Sequence, residues 1–226
     1  MFKQLTISDL PENSSYLICG GRRSGKSICL KAFSILKNGF LERSDFLIVF
    51  SLSVNYDFFS GWCEKVFIWN EESIDKIQAI IDKQTKFKEK YGKLLRITII
   101  LDDVLGDNKS KRNIFLQKLF STCRHYKINL IYIVQTLVYT KEWIRNVDCL
   151  VYFPDGIRIL ADKKFLKEQI LINYVDQEVI DKIDTEFGKH EALVALLTAE
   201  RDTDIIFKFK APENVINYNI RKKNIK

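Results

Sequence analysis

The sequence predicts an α/β protein in which helices cover both faces of a mostly parallel central sheet, with an antiparallel hairpin near the C-terminus. Continuous apolar runs of strand length alternate with segments of helical periodicity, which is typical of parallel sheets buried on both faces. With 226 residues, 46% of them hydrophobic, the chain can bury a sizeable core. We expect a single domain over 1–226, with a core over 14–155, helices and a hairpin over 156–212, and a basic tail over 213–226.

The apolar pattern assigns each element in turn. The predicted parallel strands are 14–20, 45–51, 65–69, 96–103, 129–136 and 148–153. The predicted helices are 26–39, 70–92, 110–124, 163–173 and 176–187. Asn70 is the candidate N-cap of the second helix, and the side chains that we expect the third helix to bury are Ile114, Leu116, Leu119 and Phe120. Residues 191–198 and 205–211 predict the closing hairpin.

The composition limits the classes of protein to which the chain can belong. A formal charge of +7 favours contact with polyanions such as nucleic acid, although a solvated lysine-rich surface explains it equally well. Five cysteines without CxxC spacing and only two histidines argue against a structural zinc site or a disulfide framework, and for a reducing compartment. There is no signal-peptide pattern and no apolar run near the roughly 18 residues of a membrane span, so we expect an intracellular soluble protein.

The stretch "GGRRSGKS" between the first strand and the first helix matches the phosphate-binding pattern G-x-x-x-x-G-K-[ST] in its required context. Its backbone N–H groups would surround a β-phosphate at the positive end of the helix dipole. Lys26 would bridge the β- and γ-phosphates, and the Ser27 hydroxyl would ligate Mg²⁺. A plain glycine turn before an amphipathic helix would leave both residues unexplained. The predicted nucleotide-binding residues are Gly20, Gly21, Arg22, Arg23, Ser24, Gly25, Lys26 and Ser27.

Arg22 and Arg23 are unusual in such a loop. Their side chains either contact the nucleotide or a neighbouring subunit, or they point to solvent while only their backbone serves the loop. We favour the second interpretation.

Two further polar motifs follow apolar strands. Asp102 is placed to hold Mg²⁺ through water, and Asp103 to polarise an attacking water. A helix-capping role explains one of these acids better than two. Gln135 ends the next strand, at the ligand-binding edge of a parallel sheet, where it can contact the γ-phosphate or that water.

Two candidate strands lie between the glycine loop and the acids. This arrangement fits ATPases in which an additional strand separates the two motifs, and it fits small-molecule kinases less well.

The order of the glycine loop, "IILDD" and "RHYKINLIYIVQTLVYTKEWIRNVDCLVYF" (124–153) resembles the FtsK-HerA superfamily. Within it, the chain is most similar to the genome-packaging ATPases of poxviruses, other large DNA viruses and virophages. The resemblance covers about residues 14–155. It implies a P-loop, RecA-like fold of the additional-strand type and a homo-oligomeric ring, either a pentamer or a hexamer. Such a ring uses ATP and Mg²⁺ to pump double-stranded DNA into a preformed capsid, with the capsid or portal vertex as partner, in the host-cell cytoplasm or the virion and without a membrane.

The resemblance also implies roles for residues. Lys26 and Ser27 become nucleotide ligands, Asp102 the metal acid, and Gln135 the sensor. Asp103 takes the position of the catalytic base, which is often Glu in the superfamily and is here one methylene shorter. A neighbouring subunit should supply an arginine, for which the main candidates are Arg124 and Arg145, followed by Arg43 and Arg112. Each of these is otherwise explained as a solvated or helix-end arginine.

Two other functions stay open. A P-loop kinase acting on a small phosphate acceptor would need an arginine-bearing lid and an acceptor pocket, and it leaves Gln135 without a role. A nucleotide-switched binding module with little turnover is the other alternative. The complete set of Lys26, Ser27, Asp102 and Asp103 argues against that module.

Overall fold

The computed structural model describes residues 2–52, 55–63, 65–104, 110–137, 144–154, 160–198 and 205–218, and only the backbone of residues 110–113, 145, 160 and 184. The strands of this part of the chain are β1 (Lys3–Gln4), β2 (Ser15–Cys19), β3 (Phe46–Ser51), β4 (Lys65–Ile68), β5 (Ile97–Asp102), β6 (Ile128–Val134), β7 (Cys149–Tyr152), β8 (Glu191–Leu196) and β9 (Ile206–Lys210). They form one sheet in the order β1-β9-β8-β7-β2-β6-β5-β3-β4.

The sheet is mostly parallel, as the apolar runs predict. All neighbours from β7 to β4 run parallel to one another, whereas β7–β8 and β8–β9 are antiparallel. The predicted C-terminal hairpin is therefore confirmed. The two-residue β1 was not predicted, and it pairs parallel with β9 at the far edge of the sheet.

An additional strand does separate the glycine loop from the acidic strand. That strand is β6, which pairs with β2 on one side and with β5 on the other. It follows both motifs in the chain, whereas β3 and β4, the two strands between the motifs in sequence, lie beyond β5. Because β2, β5 and β6 are parallel, their carboxyl ends meet at one edge of the sheet, where the loops after them can build a ligand site.

The helices pack on both faces of this sheet. They are α1 (Lys26–Ile35), α2 (Phe40–Arg43), α3 (Tyr56–Ser60), α4 (Ser73–Tyr91), α5 (Ser110–Thr122), α6 (Leu160–Phe165), α7 (Gln177–Glu186) and α8 (Glu213–Ile216). One face carries apolar side chains of α4, α5 and α7, and the other carries those of α1, α2, α3 and α8. The predicted helix over 163–173 is a composite, because α6 continues as a π-helical turn, Leu166–Ile170, and a 3-10 turn, Leu171–Asn173. The predicted basic tail begins with α8, and residues 219–226 lie outside the described part.

Two local predictions were wrong. The N-cap of α4 is Glu72 rather than Asn70, whose side chain instead accepts a hydrogen bond from the Ser73 hydroxyl at 3.1 Å. Ile114 is 65% exposed rather than buried, although Leu116, Leu119 and Phe120 do face the core. At about 100° per residue, position 114 lies roughly 200° from Leu116 and so on the opposite side of α5. In the part of the chain that the structure describes, no helix combines the length and apolarity needed to cross a membrane.

Candidate nucleotide-binding site

The loop between β2 and α1 depends on two glycines. Gly25, the N-cap of α1, has φ +108°, which side chains rarely tolerate, and a Cβ there would lie 3.3 Å from the Phe153 ring. A Cβ on Gly20 would lie 2.7 Å from the Ser24 Oγ and 2.9 Å from the Phe153 Cβ. The tight turn therefore cannot accept side chains at either position without moving its neighbours. It leaves the N-terminal N–H groups of α1 facing the carboxyl edge of the sheet.

Lys26 folds back over this loop. Its Nζ donates to the carbonyl oxygens of Gly20, at 2.6 Å, and Gly21, at 2.8 Å. Burial lowers the pKa of the Lys26 ammonium, partly offset by Cys19 and by the carboxylates of Asp103 and Asp102. The ammonium thus lies at the centre of the loop, within the field of the acid pair.

Asp102 ends β5 and is 3% exposed. Its Oδ2 accepts hydrogen bonds from the Ser51 hydroxyl at 3.0 Å and from the Asn55 amide at 2.7 Å. Burial raises the pKa of Asp102, and these two hydrogen bonds act against the increase. Sequence reasoning missed Ser51 and Asn55. The available signal was that Ser51 is the polar last residue of β3, which the sheet register places beside Asp102.

Asp103 adopts a left-handed backbone conformation with φ +53°. Consecutive side chains of a strand point to opposite faces of the sheet, but this turn brings the Asp103 carboxylate into the same cavity as that of Asp102. The Gln135 amide, which follows β6, donates to the Asp103 Oδ2 at 2.5 Å. The ends of the two neighbouring strands are therefore joined directly by their polar side chains.

One cavity of about 430 Å³ brings the predicted residues together. Its lining includes Arg22, Arg23, Lys26, Ser27, Asn55, Asp102, Asp103 and Gln135. Arg22 and Arg23 are exposed at its rim. The described residues contain no cluster of three or more His, Cys, Asp or Glu side chains that could hold a metal by themselves. A single carboxylate and a hydroxyl nevertheless fit Mg²⁺, which takes most of its remaining ligands from water and phosphate oxygens.

Arg124 lies at the opposite edge of the sheet. Its guanidinium donates to the Oδ1 of Asp148 at 2.8 Å, just before β7 begins. The buried Asp148 carboxylate also accepts the Ser15 N–H at 2.8 Å at the start of β2. Arg124 is therefore remote from the cavity of its own chain, and its role toward a neighbouring subunit stays a prediction.

Of the other arginine candidates, Arg43 lies outside the cavity, and the side chains of Arg112 and Arg145 are not among the described residues. The Arg43 guanidinium donates to the carbonyl oxygens of Leu10, at 2.9 Å, and Ile7, at 2.7 Å, and so fixes the N-terminal segment. Arg145 belongs to a 3-10 turn, Ile144–Asn146, but its side chain lies outside the described residues, as does that of Arg112.

A glycine loop between a strand and a helix, with one further strand between that strand and the acidic strand of a parallel sheet, defines a P-loop NTPase fold of the additional-strand type. The sequence profile of the family described as Poxvirus A32 protein matches residues 7–184. The chain therefore belongs to the poxvirus A32 protein family. A search of curated protein sequences gives no significant match.

Solved structures share this fold at low sequence identity. The DNA-packaging ATPase B204 from Sulfolobus turreted icosahedral virus aligns with a TM-score of 0.61 and 17% identity, over 90% of this chain and 100% of that one. The genome-packaging NTPase B204 from Sulfolobus turreted icosahedral virus 2, in complex with AMPPCP, gives 0.59 and 15%, over 88% and 98%. EssC from Geobacillus thermodenitrificans, ATPases 2 and 3, also gives 0.59 and 15%, but over 95% of this chain and 44% of that one.

Proposed function

We propose that the chain is an ATP-hydrolysing motor that packages double-stranded viral DNA into a preformed capsid. Membership of the poxvirus A32 family and the shared fold with B204, described as a DNA-packaging ATPase, support this function. The observation that carries it is the pair of Asp103 and Gln135, hydrogen-bonded at 2.5 Å, in the same cavity as Lys26 and Ser27. A nucleotide-binding loop alone serves any P-loop protein, whereas a carboxylate and an amide beside it suit the activation of water.

The residues of the cavity take complementary roles. The phosphates lie on the N–H groups at the start of α1, and Lys26 exchanges the carbonyls of Gly20 and Gly21 for β- and γ-phosphate oxygens. Ser27 directly and Asp102 through water would hold Mg²⁺, which would supply positive charge to balance the charge that develops on the phosphates. Because Asp102 is buried and held by two hydrogen bonds, its carboxylate is oriented before the metal binds.

Asp103 and Gln135 act on the water. Asp103 accepts a hydrogen bond from the attacking water, while the Gln135 amide fixes the orientation of that carboxylate. The water oxygen forms a bond to the γ-phosphorus as the bond to the β–γ bridging oxygen breaks. The proton that the water loses passes to Asp103 and then to solvent, which leaves ADP and phosphate. This in-line displacement needs positioning and charge stabilisation more than covalent help from the protein.

A ring of subunits would complete the site. Among the described residues that line the phosphate cavity, the only arginines are Arg22 and Arg23 of the loop itself. A neighbouring subunit in a pentameric or hexameric ring would supply another, from Arg124 or Arg145, and such a group is worth about 10³–10⁵ in rate. The excess of basic residues, +7 overall, suits contact with DNA phosphates, and the capsid or portal vertex at the cytoplasmic assembly site is the remaining partner.

The proposal is tested by the ATPase rate with and without double-stranded DNA, measured together with the oligomeric state. We expect DNA to stimulate hydrolysis, and Lys26→Ala and Asp103→Asn to abolish that stimulation. Exposed residues supply matched controls, Lys86→Ala and Asp181→Asn, which should hydrolyse ATP like the wild type. A monomer that ignores DNA and phosphorylates a small acceptor would establish a kinase instead. Tight ATP binding with negligible turnover under all conditions would establish a nucleotide-switched binding module.

A further inference from the structure

A second cavity, of about 490 Å³, adjoins the other side of the P-loop. It shares Arg23, Lys26 and Ser27 with the phosphate cavity. The phosphate cavity extends from β2 toward β6 and β5, whereas the second extends toward β7, β8 and β9. A ligand with its phosphates at Lys26 can therefore place the rest of its structure in this space.

The second cavity has the chemistry of a binding slot for a flat, largely apolar group. Its apolar lining includes Ile28, Phe153, Phe209 and Ile216. Ser24, only 7% exposed, also lines it, and its hydroxyl oxygen has no hydrogen-bond partner among the described residues. Ligand sites are commonly apolar clefts with a few polar groups that fix orientation.

His190 is fixed at the junction of this cavity and the P-loop. Its Nδ1 lies 3.2 Å from the carbonyl oxygen of Ser24, so Nδ1 carries the hydrogen and Nε2 remains an acceptor in the neutral ring. Its backbone is left-handed, φ +62°, a conformation that is sterically unfavourable for a non-glycine residue. The Glu191 carboxylate stabilises this turn, because it accepts the Gly188 N–H at 2.7 Å and pairs with Lys208 at 2.6 Å.

The remaining wall comes from the C-terminal segment. Val215 of α8 is buried, and the Lys31 ammonium of α1 donates to the carbonyl oxygen of Ile216 at 3.1 Å. This contact holds α8 against the helix that follows the P-loop. His190 and α8 both lie beyond residue 184, where the match to the family profile ends. The wall of the second cavity that faces the P-loop, from His190 to Ile216, thus comes from a part of the chain that the family profile does not describe.

We propose that this cavity binds the nucleoside moiety of the nucleoside triphosphate, with the base between its apolar walls and His190 as a binding residue for the nucleoside. The inference rests on the proposed function, because it places the phosphates of the same ligand on Lys26 and Ser27. It assigns the C-terminal hairpin and α8 to nucleotide affinity, in addition to their place in the sheet.

Binding of Mg²⁺-ATP and of inorganic tripolyphosphate, each measured by calorimetry, separates the nucleoside from the phosphates. We expect His190→Ala to weaken the binding of ATP about tenfold, or about 1.4 kcal/mol. The affinity for tripolyphosphate should change less than about twofold. Ile216→Glu places a charge in the cavity wall at a position that is 57% exposed. It should likewise lower the affinity for ATP and leave the affinity for tripolyphosphate nearly unchanged. The matched controls are His125→Ala and Ile172→Glu, both exposed and outside the cavity.

The outcomes are distinct. Equal weakening of ATP and tripolyphosphate in His190→Ala would mean that His190 only supports the loop, and would overturn the inference. Wild-type protein that binds ATP and tripolyphosphate equally well would also overturn it, while leaving the proposed ATPase function in place. Wild-type protein that binds neither ligand would overturn the proposed function together with the inference. Thermal denaturation of each variant checks that a lost affinity does not reflect a lost fold.

Discussion

Replacing Arg124 by alanine should destabilise the protein by about 1–2 kcal/mol. The guanidinium donates at 2.8 Å to Asp148, whose side chain is 5% exposed, while that of Arg124 is 51% exposed. A hydrogen bond to a charged group contributes about 1.5–3 kcal/mol, and solvent screening of the half-exposed guanidinium lowers this value. In the variant, the buried Asp148 carboxylate still accepts hydrogen bonds from the N–H and the hydroxyl of Ser15. It therefore loses one partner but is not left without any.

Thermal and urea denaturation measure this effect, and a loss of about 2–8 °C in Tm is expected for a chain of this size. In a double-mutant cycle with Asp148→Asn, the double variant should lose less stability than the sum of the two single losses, because the side chains interact directly. The control Arg96→Ala breaks an exposed pair with Asp45 and should cost less than about 1 kcal/mol. Unchanged stability of Arg124→Ala would refute this reasoning. ATP hydrolysis lowered by about 10³ in the same variant would support the separate role of Arg124 in a neighbouring active site.

Two further stability predictions follow from buried polar groups. Asp102→Asn should raise the Tm of the nucleotide-free protein at pH 8, because burial raises the pKa of Asp102 and so penalises its charged form. The gain should shrink as the pH falls through that raised pKa toward about 4, where folded and unfolded chains are both protonated, and a gain independent of pH would contradict the explanation. Gln84→Ala should cost about 2–4 kcal/mol in urea denaturation. The buried amide donates to the carbonyls of Leu95 and Tyr126, both at 2.7 Å, and accepts the Leu95 N–H; the exposed control Gln78→Ala should stay within about 0.5 kcal/mol.

The elements of the fold could be predicted because their signals are local. The run over 97–101 is apolar apart from Thr98, and the structure confirms a buried strand there, Ile97–Asp102. The position of β6 between β2 and β5 has no local signal, since strand order depends on contacts between distant parts of the chain. Ile114 shows a related difficulty. Its apolar side chain is typical of a buried position, but the direction of α5 is set by Leu116 and its neighbours.

The P-loop could be predicted because its chemistry lies in eight consecutive residues, whereas its surroundings are assembled by register. Ser51 contacts Asp102 only because β3 and β5 pair at those two residues. His190 approaches the carbonyl of Ser24 across 166 positions of sequence, after the chain has crossed the sheet. Asp103 and Gln135 were correctly placed at strand ends, but their direct hydrogen bond depends on the left-handed turn at Asp103.

The central place of β6 has a consequence for the synthesis of the chain. Both sheet neighbours of β2, β6 and β7, lie in the second half of the sequence. A nascent chain that ends before residue 128 therefore leaves both edges of β2 unpaired, and its P-loop has no acid pair held beside it. Pairing of such distant segments is slow, and until it occurs the exposed strands are open to aggregation. A nucleotide can therefore stabilise the fold only after synthesis has passed β6, whose pairing with β2 and β5 completes the candidate nucleotide-binding site.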